Sequence, residues 1–478
     1  MKRSILFTLL TLTVCLIFTG CGKSDEPTHE HTYTVTVTDP TDTERGYSTY
    51  LCECGESYIS QGDFASEGIT YEMNADGTGY IVTGIYNCPD NNIIIPSSYM
   101  GLPVVAIGEE AFRDSLISGI SIPKTVSSIG TLSLATYLNL DEIRVSESSP
   151  YYKAVDGVLY SKDGSTLVRY PAGKDGTDFT VPEQVTAIAN GAFALSLKLE
   201  NVTLPSGVTY VGDYAFFGCE KLGSVILPDG VTAIGDSAFK SCDVLDKITI
   251  PASVKAIGSE AFFSCQKLSA VSIPAGVERI EDLTFSHCYN LKQVIIPDSV
   301  REIGISAFEW CDGMTSLMIG SGVESIGAYA FNSCKSLDEI YIPSSVASIG
   351  EWAFAFCDGL TALELTGGTE NISDNAFYMC ISLEEISIPE GVESIGERAF
   401  YGCSKLEKVF IPESVSSIGS AAFSSCRSLK SIKVAVGNLY FATAGGDLYS
   451  KNYSTLIQYA IGKEDEYFTV TSDRKSVV

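Results

Sequence analysis

The chain has 478 residues and carries 31 basic against 59 acidic side chains, a formal net charge of −28. An acidic surface without a Lys/Arg cluster repels phosphate backbones, which argues against nucleic acid as a partner. The length would hold two or three ordinary domains, but repetition makes such a count misleading, because stacked repeats share one elongated core.

The N-terminus reads as a targeting segment. Lys2 and Arg3 precede an apolar run from Ile5 to Phe18, too short for a bilayer span and suited to a signal peptide over residues 1–20. The run ends in "FTGC". This resembles a bacterial lipoprotein signal, which implies cleavage before Cys21 and lipidation of its thiol. The protein would then be exported, anchored by lipid to the bacterial cell membrane and exposed at the surface. The other reading is an ordinary signal peptide with an incidental cysteine. Residues 21–32 are polar and read as a tether; no other stretch is long and apolar enough to span.

Residues 33–67 form a small segment of their own. Cys52 and Cys54 are spaced C-x-C-G, with His29 and His31 upstream. Thiolate and imidazole are zinc ligands, and a closed structural site needs four. The segment resembles a Cys/His module found ahead of repeats in bacterial surface proteins, although Asp42 stands where that module has a cysteine. The resemblance implies a possible zinc site from His31, Asp42, Cys52 and Cys54. A Cys52–Cys54 disulfide and free thiols are the alternatives. Residues 68–92 then alternate around "ADGTG" and read as an N-terminal capping hairpin.

From residue 93 to 478 repeats take over. Cys recurs every 23 residues from 219 to 426, with Phe three places before each one. Pro holds a fixed place from 205 to 412, replaced by Gly320 and Thr366. The unit is L-x-x-I-x-I-P-x-x-V-x-x-I-G-x-x-A-F-x-x-C. In "SLDEIYIPSSVASIGEWAFAFC" (336–357), Leu337, Ile340 and Ile342 alternate as in a half-buried strand, which Pro343 stops. Val346 and Ile349 make a second apolar step, and Gly350 permits a turn. "EWAFAFC" fits one helical turn with Ala353, Phe354 and Cys357 inward. One coil cannot bury its own apolar side, so each copy supplies the wall against which its neighbour packs.

This pattern resembles the BspA-like, or treponemal-type, leucine-rich repeat family of bacterial surface proteins. The resemblance covers residue 68 to about 470. It implies an α/β repeat solenoid of 23-residue units, with a parallel concave β-sheet, short helical turns and a role in adhesion. Two longer insertions, 150–181 and 438–470, share "LYSK" and "STL" and read as hairpins turned at "KDGS" and "KNYS". The chain then stops; either the gene is truncated or the last hairpin serves as the cap.

No catalytic pattern emerges. There are three histidines, no fixed His–nucleophile pairing and no phosphate-binding glycine loop, so the chain reads as a non-enzyme. The Cys ladder reads as buried free thiols rather than disulfides or metal ligands, since Ser115 and Ser196 fill the same place. Binding would use the outward strand positions, where Ile295, Met318 and Tyr341 follow one another and Phe410 recurs. Exposed β-propensity is the bland explanation of the same residues. A second aromatic row, Phe217, Phe263, Trp310, Phe356, Tyr378 and Tyr401, lies on the turn. The expected function is binding of a protein or glycan on host or neighbouring cells. The alternatives are a structural envelope lipoprotein without a host ligand, or the remnant of a larger surface enzyme.

Overall fold

A computed structural model describes residues 33–53, 57–112, 115–135, 139–463 and 476–477. The signal segment, Cys21, His29, His31 and Cys54 lie outside them. The chain divides into two compact units, residues 1–163 and 164–478.

In the first unit, Tyr33–Thr38, Tyr47–Cys52 and Ser57–Gln61 form a three-stranded antiparallel sheet. Tyr50 and Tyr58 stack on it at 4.3 Å, with Tyr33 edge-on. The hairpin of Ile69–Met73 and Tyr80–Ile85 closes at Asn74–Gly79. Tyr80–Ile85 then pairs in parallel with Leu102–Ile107, which pairs with Ser128–Ile129. The hairpin thus ends the parallel stack. The small sheet is fastened to the following coils by hydrogen bonds: the Pro40 carbonyl accepts from Ser97 N–H at 2.8 Å, and the Asp39 carboxylate accepts from Lys124 N–H at 3.0 Å. The insertion at 150–181 contributes an antiparallel hairpin, Tyr152–Val155 with Val158–Ser161, that turns at Asp156-Gly157.

The second unit is a solenoid of 23-residue coils. Every inward position of the repeat is buried: Leu337, Ile340, Ile342, Val346, Ile349, Ala353, Phe354 and Cys357 in one coil. Strands such as Glu339–Ile342 and Ala362–Leu365 pair in parallel and in register on the first face. Two-residue strands such as Ser348–Ile349 and Asn371–Ile372 do so on the second. The third face was expected to be helical, and here the sequence reading needs correction, since the described residues contain no helix. Two residues per coil, Trp352 and Phe356 among them, have φ near +59°, which breaks helical winding. The N–H groups of Ala353 and Ala355 bond within the coil. Those of Trp352, Phe354 and Phe356 alternate with them and donate to Asp374, Ala376 and Tyr378 of the next coil. The reason is spacing. Phe354 stacks on Phe331 at 5.1 Å and on Phe377 at 5.4 Å, whereas packed helices need about 8–10 Å between axes. Coils held at strand spacing on two faces leave no room for a helix on the third.

The core is therefore a set of ladders. Ten stacked contacts run from Phe193 to Phe423, with centroids 4.9–5.5 Å apart and planes within 11°. Beside them the ten thiols from Cys219 to Cys426 are unbridged and buried. Each donates to the carbonyl of a phenylalanine one coil back, as Cys311 Sγ does to Phe285 at 3.2 Å. Burial pushes the Cys219, Cys288 and Cys357 thiols up to about 12. These thiols are expected to resist iodoacetamide at pH 8 in the native protein and to react in 6 M guanidinium, read peptide by peptide by mass spectrometry. Half-buried Cys88 serves as the accessible reference. Modification of the native ladder would contradict the assignment.

At the C-terminal end, Phe441–Ala444, Asp447–Ser450 and Thr455–Gln458 form an antiparallel meander. It turns at Gly445-Gly446 and again at the expected "KNYS".

Candidate binding face and aromatic row

The first face of the second unit presents one central outward side chain per coil. All eleven positions from Thr203 to Lys433 are exposed, because the flanking aliphatics fill the core and alternation sends the middle residue outward. Four of the apolar ones stand out: Ile295 is 52% exposed, Met318 58%, Tyr341 51% and Phe410 42%. Ile226 belongs with them. Ile295 lies directly opposite Met318. Backbone pairing lapses between Ser316–Ile319 and Glu339–Ile342, although these strands stay adjacent, and on its other side Tyr341 lies opposite Glu364. Phe410 lies between Ser387 and Lys433.

The hollow over these strands is a groove of about 1160 Å³, running from Thr315 to Lys433. Both Tyr341 and Phe410 line it. Lys430 donates to Glu407 at 2.6 Å, and this bond, reinforced by the lysine's charge, holds the Glu407 carboxyl below its usual range. Ile295 lies beyond the groove's lining.

The turn row is more continuous than its sequence suggests. Phe263, His287 and Trp310 follow one another at 5.0 and 6.2 Å. Tyr329, Trp352, Tyr378 and Tyr401 form a second run at 6.1, 5.1 and 5.1 Å. Lys240 and Lys335 sit over Phe263 and Trp310. Tyr329 and Trp352 escape the sequence reading because they fall two places before the repeat's Phe, at the left-handed residue, where no hydrophobic period applies. His287 is half-buried among these rings, its Nδ1 2.9 Å from Ser286 Oγ. A third residue missed from sequence is Arg169. It is buried, donates to the Gly191 and Ala194 carbonyls, and is lowered to about 10 by desolvation.

Of the zinc candidates, His31 and Cys54 lie outside the described residues. The Asp42 carboxylate accepts from Met100 N–H at 2.9 Å, and its own N–H donates to the Ser98 carbonyl. Asp42 is thus a fastening between the small sheet and the coils. Cys52 is buried at the end of its strand. Among the described residues no three His, Cys, Asp or Glu side chains cluster as a metal site, so no chemistry is routed through one.

The BspA type leucine-rich repeat region, in six copies, matches residues 84–154, 173–292, 255–370 and 302–430, more than half of the chain. The chain belongs to this family. A leucine-rich repeat protein from Bacteroides ovatus is 28% identical over 77% of this chain and 94% of its own, with a TM-score of 0.50. A leucine-rich cell surface protein from Faecalibacterium prausnitzii is 29% identical over 78% and 94%, with a TM-score of 0.46. The pneumococcal vaccine antigen PcpA is 19% identical over 87% and 90%, with a TM-score of 0.40. No curated protein matches the sequence. In this BspA type chain the repeated positions fill the core, and the two exposed rows fall on positions that differ from coil to coil.

Proposed function

We propose that this BspA type protein is exported, held on the cell surface by lipid at Cys21, and binds a macromolecule through the strand face of its second unit. The observation that carries the reading is the set of exposed large apolar side chains, Ile226, Ile295, Met318, Tyr341 and Phe410, on a face whose neighbouring positions are polar. Such residues cost nothing to the core if exchanged for polar ones, and they offer contact area where side chains are already fixed by strand register. The signal-like start and the polar tether support display away from the membrane. Among the described residues no helix is long and apolar enough to cross a bilayer. On the turn row Ser286 Oγ meets His287 Nδ1, but that hydroxyl is buried and the two residues are chain neighbours, so the reading is a binding protein rather than an enzyme.

The test is binding of the full chain, in non-ionic detergent, to an array of matrix proteins and glycans. The double variant Met318→Asp/Tyr341→Asp is expected to lose a captured ligand while its urea midpoint corresponds to less than about 1 kcal/mol of change, as for exposed sites. Capture retained by the double variant would move the site to the aromatic turn row. No capture at all would overturn the reading in favour of a structural envelope protein.

A further inference from the structure

Resting on that reading, we infer that the groove takes an extended, lysine- or arginine-bearing segment of a protein partner. Six carboxylates line it, Asp338, Glu339, Glu364, Glu384, Glu385 and Glu407, against the two ammonium groups of Lys408 and Lys433. Glu407 is already occupied by Lys430. The other five are exposed, and among the described residues none has an ion-pair partner. They are scattered over nearly fifty residues of sequence, and stacking of the coils gathers them in one hollow. Tyr341 and Phe410 stand three coils apart on this face, roughly 14 Å at strand spacing. A ring with an open face within about 6 Å of a cation adds attraction to that of the carboxylates.

Charge complementarity selects the occupant. An acidic glycan or a nucleic acid would meet five unpaired like charges, and a neutral sugar would leave them unused. A strand-like peptide advances about 3.3 Å per residue, so four or five residues reach from one ring to the other. Its cations would fall among the carboxylates and its aliphatic stems on Tyr341 and Phe410.

The experiment uses fluorescence anisotropy with the full chain in non-ionic detergent. The probes are a labelled dodecapeptide of alternating lysine and serine, its arginine counterpart, its glutamate counterpart, and neutral and sulfated oligosaccharides. The expected result is binding of the two basic peptides only, weakened by salt. The variant Glu339→Gln/Glu364→Gln/Glu385→Gln should weaken it at least tenfold, and Tyr341→Ala severalfold. A control, Glu220→Gln/Glu278→Gln/Glu351→Gln, removes the same charge away from the groove and should leave affinity unchanged. Equal loss in both triple variants, or no binding of basic peptide, would overturn the proposal. Oligosaccharide binding that is abolished by Met318→Asp/Tyr341→Asp would overturn this occupant while sustaining the binding face itself.

Discussion

Raising the pH from 9 to 11 is expected to unfold the solenoid cooperatively. Nine ladder thiols, from Cys219 to Cys403, are raised from an ordinary value of 9.0, first by desolvation. Three of them reach about 12. Between those values the folded chain keeps protons that the unfolded chain has released, so stability is fully present below pH 9 and falls as pH rises toward 12. Each thiol contributes a slope of roughly 1.4 kcal/mol per pH unit. By pH 11 that is about 2.7 kcal/mol for each of the three thiols raised to about 12, about 8 kcal/mol together, which already falls in the range of roughly 5–15 kcal/mol that holds an ordinary domain folded. Thiolate absorbance near 240 nm should therefore appear together with loss of the strand circular dichroism signal, not before it. Replacing Cys311, Cys334 and Cys357 by serine should move the transition to higher pH. Thiolate formation with the strands intact would show that the ladder is not dry.

Gly350→Ala is expected to destabilise the protein by about 3 kcal/mol or more. A Cβ there would lie 2.4 Å from Ala328 N, 2.6 Å from Gly327 C and 2.8 Å from Ala328 Cα. All three are backbone atoms of the preceding coil, so no side chain can swing away. Relief requires the coils to part, which stretches the Gly350 N–H bond to the Ile326 carbonyl at 2.8 Å and the Ala347 bond to Glu324 at 2.9 Å. The control is Gly223→Ala, where the nearest atom is 3.9 Å away and the change should stay within about 0.5 kcal/mol. Urea midpoints for the two variants decide the matter. Equal midpoints would mean that the coils are not held at the distance described.

These two glycines also show what the sequence could and could not reveal. The 23-residue period, the strand alternation and the inward Phe and Cys were legible because each is a spacing. Gly350 was read as a turn residue, yet its φ is ordinary and its role is close approach between coils, which involves a residue 22 positions away. The helical turn failed for a related reason. A-F-x-x-C satisfies helical spacing within one coil, but the distance to the next coil decides the conformation. The outward residues Ile295, Met318, Tyr341 and Phe410 followed from alternation, while the break in pairing after Ile319 and the gathering of Asp338, Glu364 and Glu385 did not. Asp42 looked like a metal ligand because its flanking residues match a known module; its bond to Met100 spans 58 residues and leaves no local trace.

Hydroxyl-radical footprinting tests the central claim most directly. Met318, Tyr341 and Phe410 on the strand face, and Trp310 and Tyr329 on the turn row, are all exposed and oxidisable. The full chain is oxidised alone and with the ligand captured on the array, and each residue is followed by mass spectrometry. Protection of Met318, Tyr341 and Phe410 with Trp310 and Tyr329 unchanged is the expected result. Protection of Trp310 and Tyr329 instead, with the strand face still oxidised, would contradict the assignment of the binding face.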